Sequence, residues 1–98
     1  MREALKKHLD SQPTSLIFFY MPDCNSCLMV KPKVLAFAKK RKIALFQIPT
    51  TSSDWVDLAK IFDVEDFPTL YYVEQMKVKH AYKGADEITE LIQLEGGE

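Results

Sequence analysis

The chain has 98 residues, enough for one domain with a single hydrophobic core, and 47% of them are hydrophobic, as in an ordinary globular protein. Its 13 basic and 14 acidic residues give a net charge of −1, which excludes the broad basic field that binds nucleic acid or an anionic membrane surface. This length leaves no second domain for a flavin or a nicotinamide, so we expect the partner to be another protein.

The N-terminal segment predicts a short amphipathic helix, because Leu5, His8 and Leu9 recur at helical spacing before a break at residues 11–13. Its interleaved charges differ from the uninterrupted apolar core of a secretory signal peptide. No apolar stretch in the sequence approaches membrane-spanning length. We therefore expect no membrane partner and a cytoplasmic location, where thiols are kept reduced.

A βαβ unit is predicted next. Leu16–Met21 is a continuous apolar run of strand length without alternation, which is typical of a strand buried on both faces. Cys24-Asn25-Ser26-Cys27 follows it and opens a helix that is expected to run from Asn25 to about Lys42, with Pro32 inside it. Ile43–Ile48 predicts a second buried strand.

The following segment predicts a helix and a β-hairpin. Apolar residues recur at helical spacing from Trp55 to Phe62, and residues 51–54 offer N-cap side chains. Residues 69–73 are β-prone, and a tight turn near Gln75-Met76 leads to residues 77–82. The last strand alternates between polar and apolar residues, so we expect it at an edge of the sheet.

The C-terminal segment predicts a final helix. Lys83-Gly84 breaks the strand pattern, and Asp86 is expected to cap the helix, while residues 96–98 are expected to fray. The element order is therefore α-β-α-β-α-β-β-α. His8, His80 and Trp55 are expected to be structural, with His8 hydrogen-bonded on an apolar face.

The two cysteines carry the chemistry. Cys24 and Cys27 are one helical turn apart, close enough to form a disulfide, and Cys24 falls at a helix N-terminus, where free N–H groups stabilise a thiolate. Zinc needs four ligands, and neither His8 nor His80 has the spacing to complete a site with the cysteines. The pair therefore indicates a redox-active disulfide with no metal and no other cofactor, the main alternative being an inert disulfide.

This element order, with C-x-x-C at the first strand–helix junction, resembles the thioredoxin family over nearly the whole chain. Pro32 stands where thioredoxins kink their active-site helix, Pro68 stands where they carry a cis-proline, and Lys83-Gly84-Ala85 resembles the loop that closes their peptide groove. The resemblance implies an α/β, three-layer fold with a four-stranded mixed sheet flanked by helices. Because little chain precedes the first helix, the first strand of the family is expected to be absent.

The resemblance also implies a site and an activity. Cys24 would attack a protein disulfide, Cys27 would resolve the mixed disulfide, and a cis-Pro68 would lie opposite them. The expected activity is reduction of protein disulfides by a monomer, itself reduced by a separate thioredoxin reductase or a similar electron donor. The substrate groove is expected to comprise Pro22, Asp23, Phe67, Lys83, Gly84 and Ala85.

Four positions depart from the family pattern. Asp23 replaces a tryptophan, Asn25-Ser26 replaces Gly-Pro, and Phe18 replaces a buried aspartate that is thought to help move the proton of the second cysteine. Asp23 is expected to destabilise the Cys24 thiolate unless Lys31 or Lys33 offsets it, and capping of the helix is its alternative role.

These departures leave two further functions open. One is a thioredoxin-fold binding module with little turnover, which Phe18 and the unusual residues around Cys24 favour. The other is a glutaredoxin-like reductase that uses glutathione, although no obvious set of basic residues accompanies Pro68.

Overall fold

The computed structural model describes residues 2–53 and 55–94, so the candidate cap Asp54 and the expected frayed end at 96–98 lie outside the described residues. The eight elements follow the predicted order. They are α1 (Arg2–Ser11), β1 (Thr14–Tyr20), α2 (Asn25–Arg41), β2 (Ala44–Pro49), α3 (Trp55–Phe62), β3 (Thr69–Glu74), β4 (Lys77–Lys83) and α4 (Gly84–Leu94).

The four strands form one mixed sheet in the order β2-β1-β3-β4. β1 and β2 are parallel, with Ser15 opposite Ala44, whereas β1–β3 and β3–β4 are antiparallel. This confirms the predicted mixed sheet and the edge position of β4. In the part of the chain that the structure describes, no strand precedes α1.

β1 is one of the two inner strands, and its two faces contact different apolar clusters. Leu16, Phe18 and Tyr20 face the cluster formed with α2 and α4, while Ile17 and Phe19 face the cluster formed with α1 and α3. Because neighbouring side chains on a strand point to opposite faces, an unbroken apolar run serves both layers. Each fully buried side chain of this size contributes roughly 1.5–3 kcal/mol to folding.

Two sequence-based predictions are wrong, one about the burial of β2 and one about the residue at which α4 begins. β2 is the other edge strand, and only Ile48 within it is buried, since its outer side has no neighbouring strand. α4 begins at Gly84 rather than after a cap at Asp86, which lies in its first turn. The carboxylate of Glu87 accepts the Lys83 backbone N–H at 3.0 Å and supports this earlier start.

The hairpin turn is where the sequence predicted it. Gln75 and Met76 both have positive φ angles, of 51° and 68°, as a two-residue turn of the primed type requires. The Gln75 N–H donates to the Pro13 carbonyl at 2.8 Å, which connects the turn to the start of β1. Within the described ranges, no helix combines the length and apolar character needed to cross a bilayer.

Candidate redox site

Cys24 occupies the N-cap of α2. Its backbone is extended, with φ −94° and ψ 122°, and its sulfur accepts the Cys27 backbone N–H at 3.3 Å. The Cys24 N–H donates to the Met21 carbonyl at 3.1 Å and closes the turn that leaves β1. An N-cap side chain normally supplies an oxygen for the free N–H groups of the first turn. Here the cap is the cysteine sulfur, so the helix start is coupled directly to the thiol.

A second donor reaches the same sulfur. The Ser26 hydroxyl oxygen lies 3.2 Å from the Cys24 sulfur. The pKa of the Cys24 thiol is below its ordinary value, chiefly because the Cys27 side chain and, to a smaller extent, the Ser26 hydroxyl form hydrogen bonds with it. Partial burial raises this pKa, whereas the backbone N–H groups of Cys27 and Ser26 lower it further. Cys24 is half-buried, and both cysteines are free thiols. The sulfur is therefore accessible and favours the thiolate.

Cys27 has the opposite surroundings. It is fully buried on the inner face of α2, in the same apolar cluster as Phe18, Tyr20 and Val30. Burial, and after it the hydrogen bond to Cys24, raises the pKa of the Cys27 thiol to about 11, while a bond from the Met21 backbone acts against both. Cys27 is therefore the protonated, shielded partner of the pair.

The departure at Phe18 has a clear structural consequence. Phe18 is fully buried and stacks on Tyr20, with ring centroids 5.2 Å apart and planes 19° apart. Lys31 donates to the Tyr20 hydroxyl at 3.2 Å, and its ammonium lies 4.6 Å from the centre of the Tyr20 ring. The Lys31 amine is thus held by Tyr20, and neither Lys31 nor Lys33 is among the causes that shift the pKa of Cys24.

Asp23 does not cap α2, because Cys24 is the N-cap, so the alternative role for Asp23 is wrong. Its carboxylate is exposed. Its negative charge helps to raise the pKa of Cys27, although it is the smallest of the causes and burial is the largest. It is not among the causes that shift the pKa of Cys24. The expected destabilisation therefore falls on the second thiol.

The proline loop lies at the same end of the sheet. The Phe67–Pro68 bond is cis, as predicted, and Pro68 is buried immediately before β3. Gly84 has a φ of +89°, and its N–H donates to the Pro68 carbonyl at 2.8 Å. A φ in this range favours glycine, which explains why a glycine occupies the position after β4 that bonds to the proline loop.

The remaining predicted groove residues fall into exposed and packed groups. Pro22 and Asp23 are exposed in the turn after β1, and Lys83 pairs with Glu65 at 3.9 Å. Ala85 and Phe67 are half-buried against the α2–α4 cluster that also contains Cys27. β1 and β3 pair so that Phe19 lies opposite Thr69, which places the cysteine turn and the proline loop at one end of the sheet.

Sequence reasoning missed three features of this end. The sequence marks Ser26 only as a departure from the family pattern. Trp55 packs against the α1–α3 cluster, as its core assignment predicts, but the sequence does not predict that its half-buried ring lies 5.8 Å from that of Phe67. The third feature is the exposure of Leu28 and Met29, which directly follow Cys27 and are 50% and 68% exposed. Their position off the buried stripe of α2 was the available signal.

The two histidines lie on other elements. His8 in α1 is half-buried and forms a hydrogen bond with the Ser15 hydroxyl, as expected, and burial lowers its pKa below the usual range. His80 in β4 is exposed, near the rings of Tyr72 and Tyr82. Among the described residues, no group of three histidine, cysteine, aspartate or glutamate side chains could hold a metal ion.

Comparisons with known proteins agree with this geometry. The family model described as Thioredoxin matches residues 1–94. A protein disulfide-isomerase of Triticum aestivum is 32% identical over 84 residues, which cover 79% of this chain but only 16% of that relative.

Solved thioredoxins share the fold. The X-ray structure of Fasciola hepatica thioredoxin superposes with a TM-score of 0.80 at 19% identity, covering 99% of this chain and 94% of that one. A thioredoxin f2 complex with ferredoxin:thioredoxin reductase gives a TM-score of 0.78 at 19% identity, covering 95% and 86% of the two chains. The chain belongs to the thioredoxin family, whose members are thiol-disulfide oxidoreductases.

Proposed function

We propose that this protein reduces disulfides of other proteins by cycling Cys24 and Cys27 between dithiol and disulfide. The observation that carries the proposal is the asymmetry of the two sulfurs. Cys24 is accessible with a lowered pKa, whereas Cys27, one turn further along α2, is buried with a pKa of about 11. Only a pair with this asymmetry has one thiol ready to attack and one held in reserve.

In the first step, the Cys24 thiolate attacks one sulfur of the substrate disulfide. A bond forms between the two proteins, and the other substrate sulfur leaves as a thiolate that takes a proton from solvent. The Cys27 N–H and the Ser26 hydroxyl, at 3.3 and 3.2 Å from the Cys24 sulfur, stabilise the attacking anion before this step.

In the second step, Cys27 loses its proton and attacks the Cys24 sulfur. The first substrate sulfur leaves as a thiolate, and Cys24 and Cys27 are joined in a disulfide. The substrate has gained two electrons, and the protein has lost them. A dithiol donor must therefore return two electrons and two protons before the next cycle.

The proline loop supports the docking of an extended substrate segment. The backbone of Phe67, beside the cis-Pro68, would pair with the segment as an added strand would, and Gly84 holds the proline loop through its bond to Pro68. Exposed Leu28 and Met29 add apolar surface next to the reacting sulfur.

We also propose a separate reductase as the electron donor, action as a monomer and a cytoplasmic location. The neighbouring thioredoxin f2 is solved in complex with ferredoxin:thioredoxin reductase, which supports a donor of the reductase type. A reducing compartment fits a dithiol that must be regenerated in every cycle.

One observation favours a second candidate, a binding module with little turnover. Position 18, in the same cluster as Cys27, carries Phe18 rather than a carboxylate that could accept the Cys27 proton, so deprotonation of Cys27 is costly. Slow release of the mixed disulfide would leave partners bound for longer.

Insulin-disulfide reduction tests the proposal. The wild-type protein should accelerate reduction when driven by thioredoxin reductase with its nicotinamide donor, and Cys24→Ser should reduce the rate to that of the buffer. Acceleration with glutathione alone would favour the glutaredoxin-like alternative. Stoichiometric binding without acceleration by any donor would favour the binding module and contradict the proposed turnover.

A further inference from the structure

The charged side chains near the start of α2 do not account for a thiolate at Cys24. Asp23 stands directly before the nucleophile, but its carboxylate is exposed and is not among the causes that shift the pKa of Cys24. The nearest cation along α2, Lys31, is bonded to the Tyr20 hydroxyl at 3.2 Å. No lysine is among the causes that lower the pKa of Cys24, and the groups bonded to its sulfur are Cys27 and Ser26.

The Ser26 hydroxyl is placed to stabilise the Cys24 thiolate. It lies 3.2 Å from the Cys24 sulfur, within the range of a hydrogen bond to sulfur. A thiolate has no proton to give, so in the anionic state the hydroxyl must be the donor. With the Cys27 N–H at 3.3 Å, two donors from one helical turn converge on the same atom.

We propose that Ser26 is a positioning residue whose hydroxyl donates to the Cys24 sulfur and stabilises the reactive thiolate. The inference rests on the proposed redox role of Cys24. It assigns to the second residue between the cysteines a function that a residue without a side-chain donor could not provide.

The proposal has a consequence for the direction of exchange. In the disulfide, the Cys24 sulfur is neutral and accepts a hydrogen bond only weakly, so the Ser26 bond stabilises the dithiol form more than the disulfide form. Stabilising the reduced state makes a disulfide a stronger oxidant. Ser26 therefore raises the reduction potential of the Cys24–Cys27 pair and makes its disulfide more oxidising.

Charged side chains also lie at this end of the sheet. They are Asp23 in the turn before α2, Lys31 in α2, Asp66 in the proline loop, and the Lys83–Glu65 pair. Cys27 is the titratable group bonded to Cys24. All of these groups are retained in a Ser26 variant, so a shift in the reactivity of Cys24 reports the hydroxyl itself.

The test is the pH profile of iodoacetamide alkylation of Cys24 in the reduced full chain, followed by mass spectrometry. Ser26→Ala should react about fivefold to tenfold more slowly near pH 6.5, since a hydrogen bond to a charged group is lost. Near pH 10, where the Cys24 thiolate forms without assistance, the two rates should converge. Ser26→Thr, which keeps a hydroxyl, should restore the wild-type profile.

Asn25→Ala is the matched control, because Asn25 is the exposed neighbour of Ser26 between the cysteines. It should follow the wild-type profile. In a glutathione redox buffer, Ser26→Ala should lower the reduction potential by at most about 30 mV, the equivalent of a tenfold change in the equilibrium.

Two results would overturn the proposal. One is a Ser26→Ala profile that coincides with the wild type. The other is a slower rate by the same factor at every pH, since that would indicate altered access rather than a less stable thiolate. Alkylation needs neither a protein substrate nor a reductase, so failure to reduce insulin would leave this test intact.

Discussion

The two sulfurs of the site lie one helical turn apart in contrasting regions. The region around Cys24 is polar and half-exposed, with Asp23 and Ser26 beside it, while Cys27 lies in the buried cluster with Phe18 and Tyr20. The stabilisation of an anion by the free N–H groups of a helix declines within the first turn. Burial raises the pKa of a thiol that faces the sheet. One turn of helix therefore suffices to separate the acidity of two identical thiols.

The largest effect is expected when either sulfur is removed. Cys27→Ser should accumulate mixed disulfides with cellular proteins, because Cys24 still attacks but nothing releases the bound protein, and Cys24→Ser should accumulate few. Turnover should fall to background in both. The measurement is non-reducing electrophoresis of affinity-captured complexes.

Dithiothreitol is the control for this experiment and should release the captured proteins. Equal capture by the wild type and both variants, insensitive to dithiothreitol, would indicate noncovalent binding in the groove beside Pro68 and Gly84. The oxidoreductase cycle would then be wrong.

The unmodified protein should display the same contrast as a difference in rates. Near pH 7, iodoacetamide should modify Cys24 at least about a hundredfold faster than Cys27, because the pKa of Cys24 is lowered and that of Cys27 is raised to about 11, and because Cys27 is buried. Fragment-ion mass spectrometry distinguishes the two sites. Comparable rates, or faster modification of Cys27, would reverse the roles proposed for them.

A smaller effect is expected on the stability of the protein at alkaline pH. The folded-state pKa of Cys27 is about 11, above its usual value of 9.0, so the folded protein holds this proton more tightly than the unfolded chain does. The associated stability is complete below pH 9 and is lost as the pH rises toward 11. The loss should be about 2 kcal/mol.

Urea denaturation of the reduced protein at pH 8 and pH 10.5 measures this loss. Cys27→Ala is the control, since it removes the titrating group while lysines and tyrosines still titrate in both proteins. An equal pH dependence in the two proteins would show that burial does not hold the Cys27 proton.

The smallest effect is expected at Lys31. Because its amine is bonded to the Tyr20 hydroxyl, Lys31→Met should change the alkylation rate of Cys24 by less than about twofold and lower stability by about 0–1 kcal/mol. A rate reduced as much as in Ser26→Ala would mean that Lys31 also stabilises the Cys24 thiolate. The same alkylation assay with thermal unfolding checks both quantities.

Much of the fold followed from local patterns. The apolar run in β1, the stripe along α2 and the turn at Gln75-Met76 were all correctly placed, because each reflects a period or a backbone preference carried by neighbouring residues. The half-buried state of β2 was not predicted. A parallel strand at the edge of a sheet and one in its interior can have the same apolar residues. Only the order of the strands shows that β2 lies at an edge.

The candidate site divides in the same way. The two cysteines and Pro68 could be predicted from the sequence, because a C-x-x-C at a helix start and a proline before a strand are local patterns. Trp55 against Phe67 was not readable, because that contact joins α3 to the proline loop through the packing of the whole layer. The Gly84 bond to Pro68 likewise depends on the pairing of β3 with β4.

Local sequence is enough to place two thiols one turn apart at the start of a helix, after an apolar run, and this pattern indicates redox chemistry. Which groups contact each sulfur depends on tertiary packing. Ser26 reaches Cys24, Lys31 turns to Tyr20, and the cluster encloses Cys27. The physical reason is that periodicity places a residue on a face of its element, whereas side-chain direction and burial depend on what packs against that face.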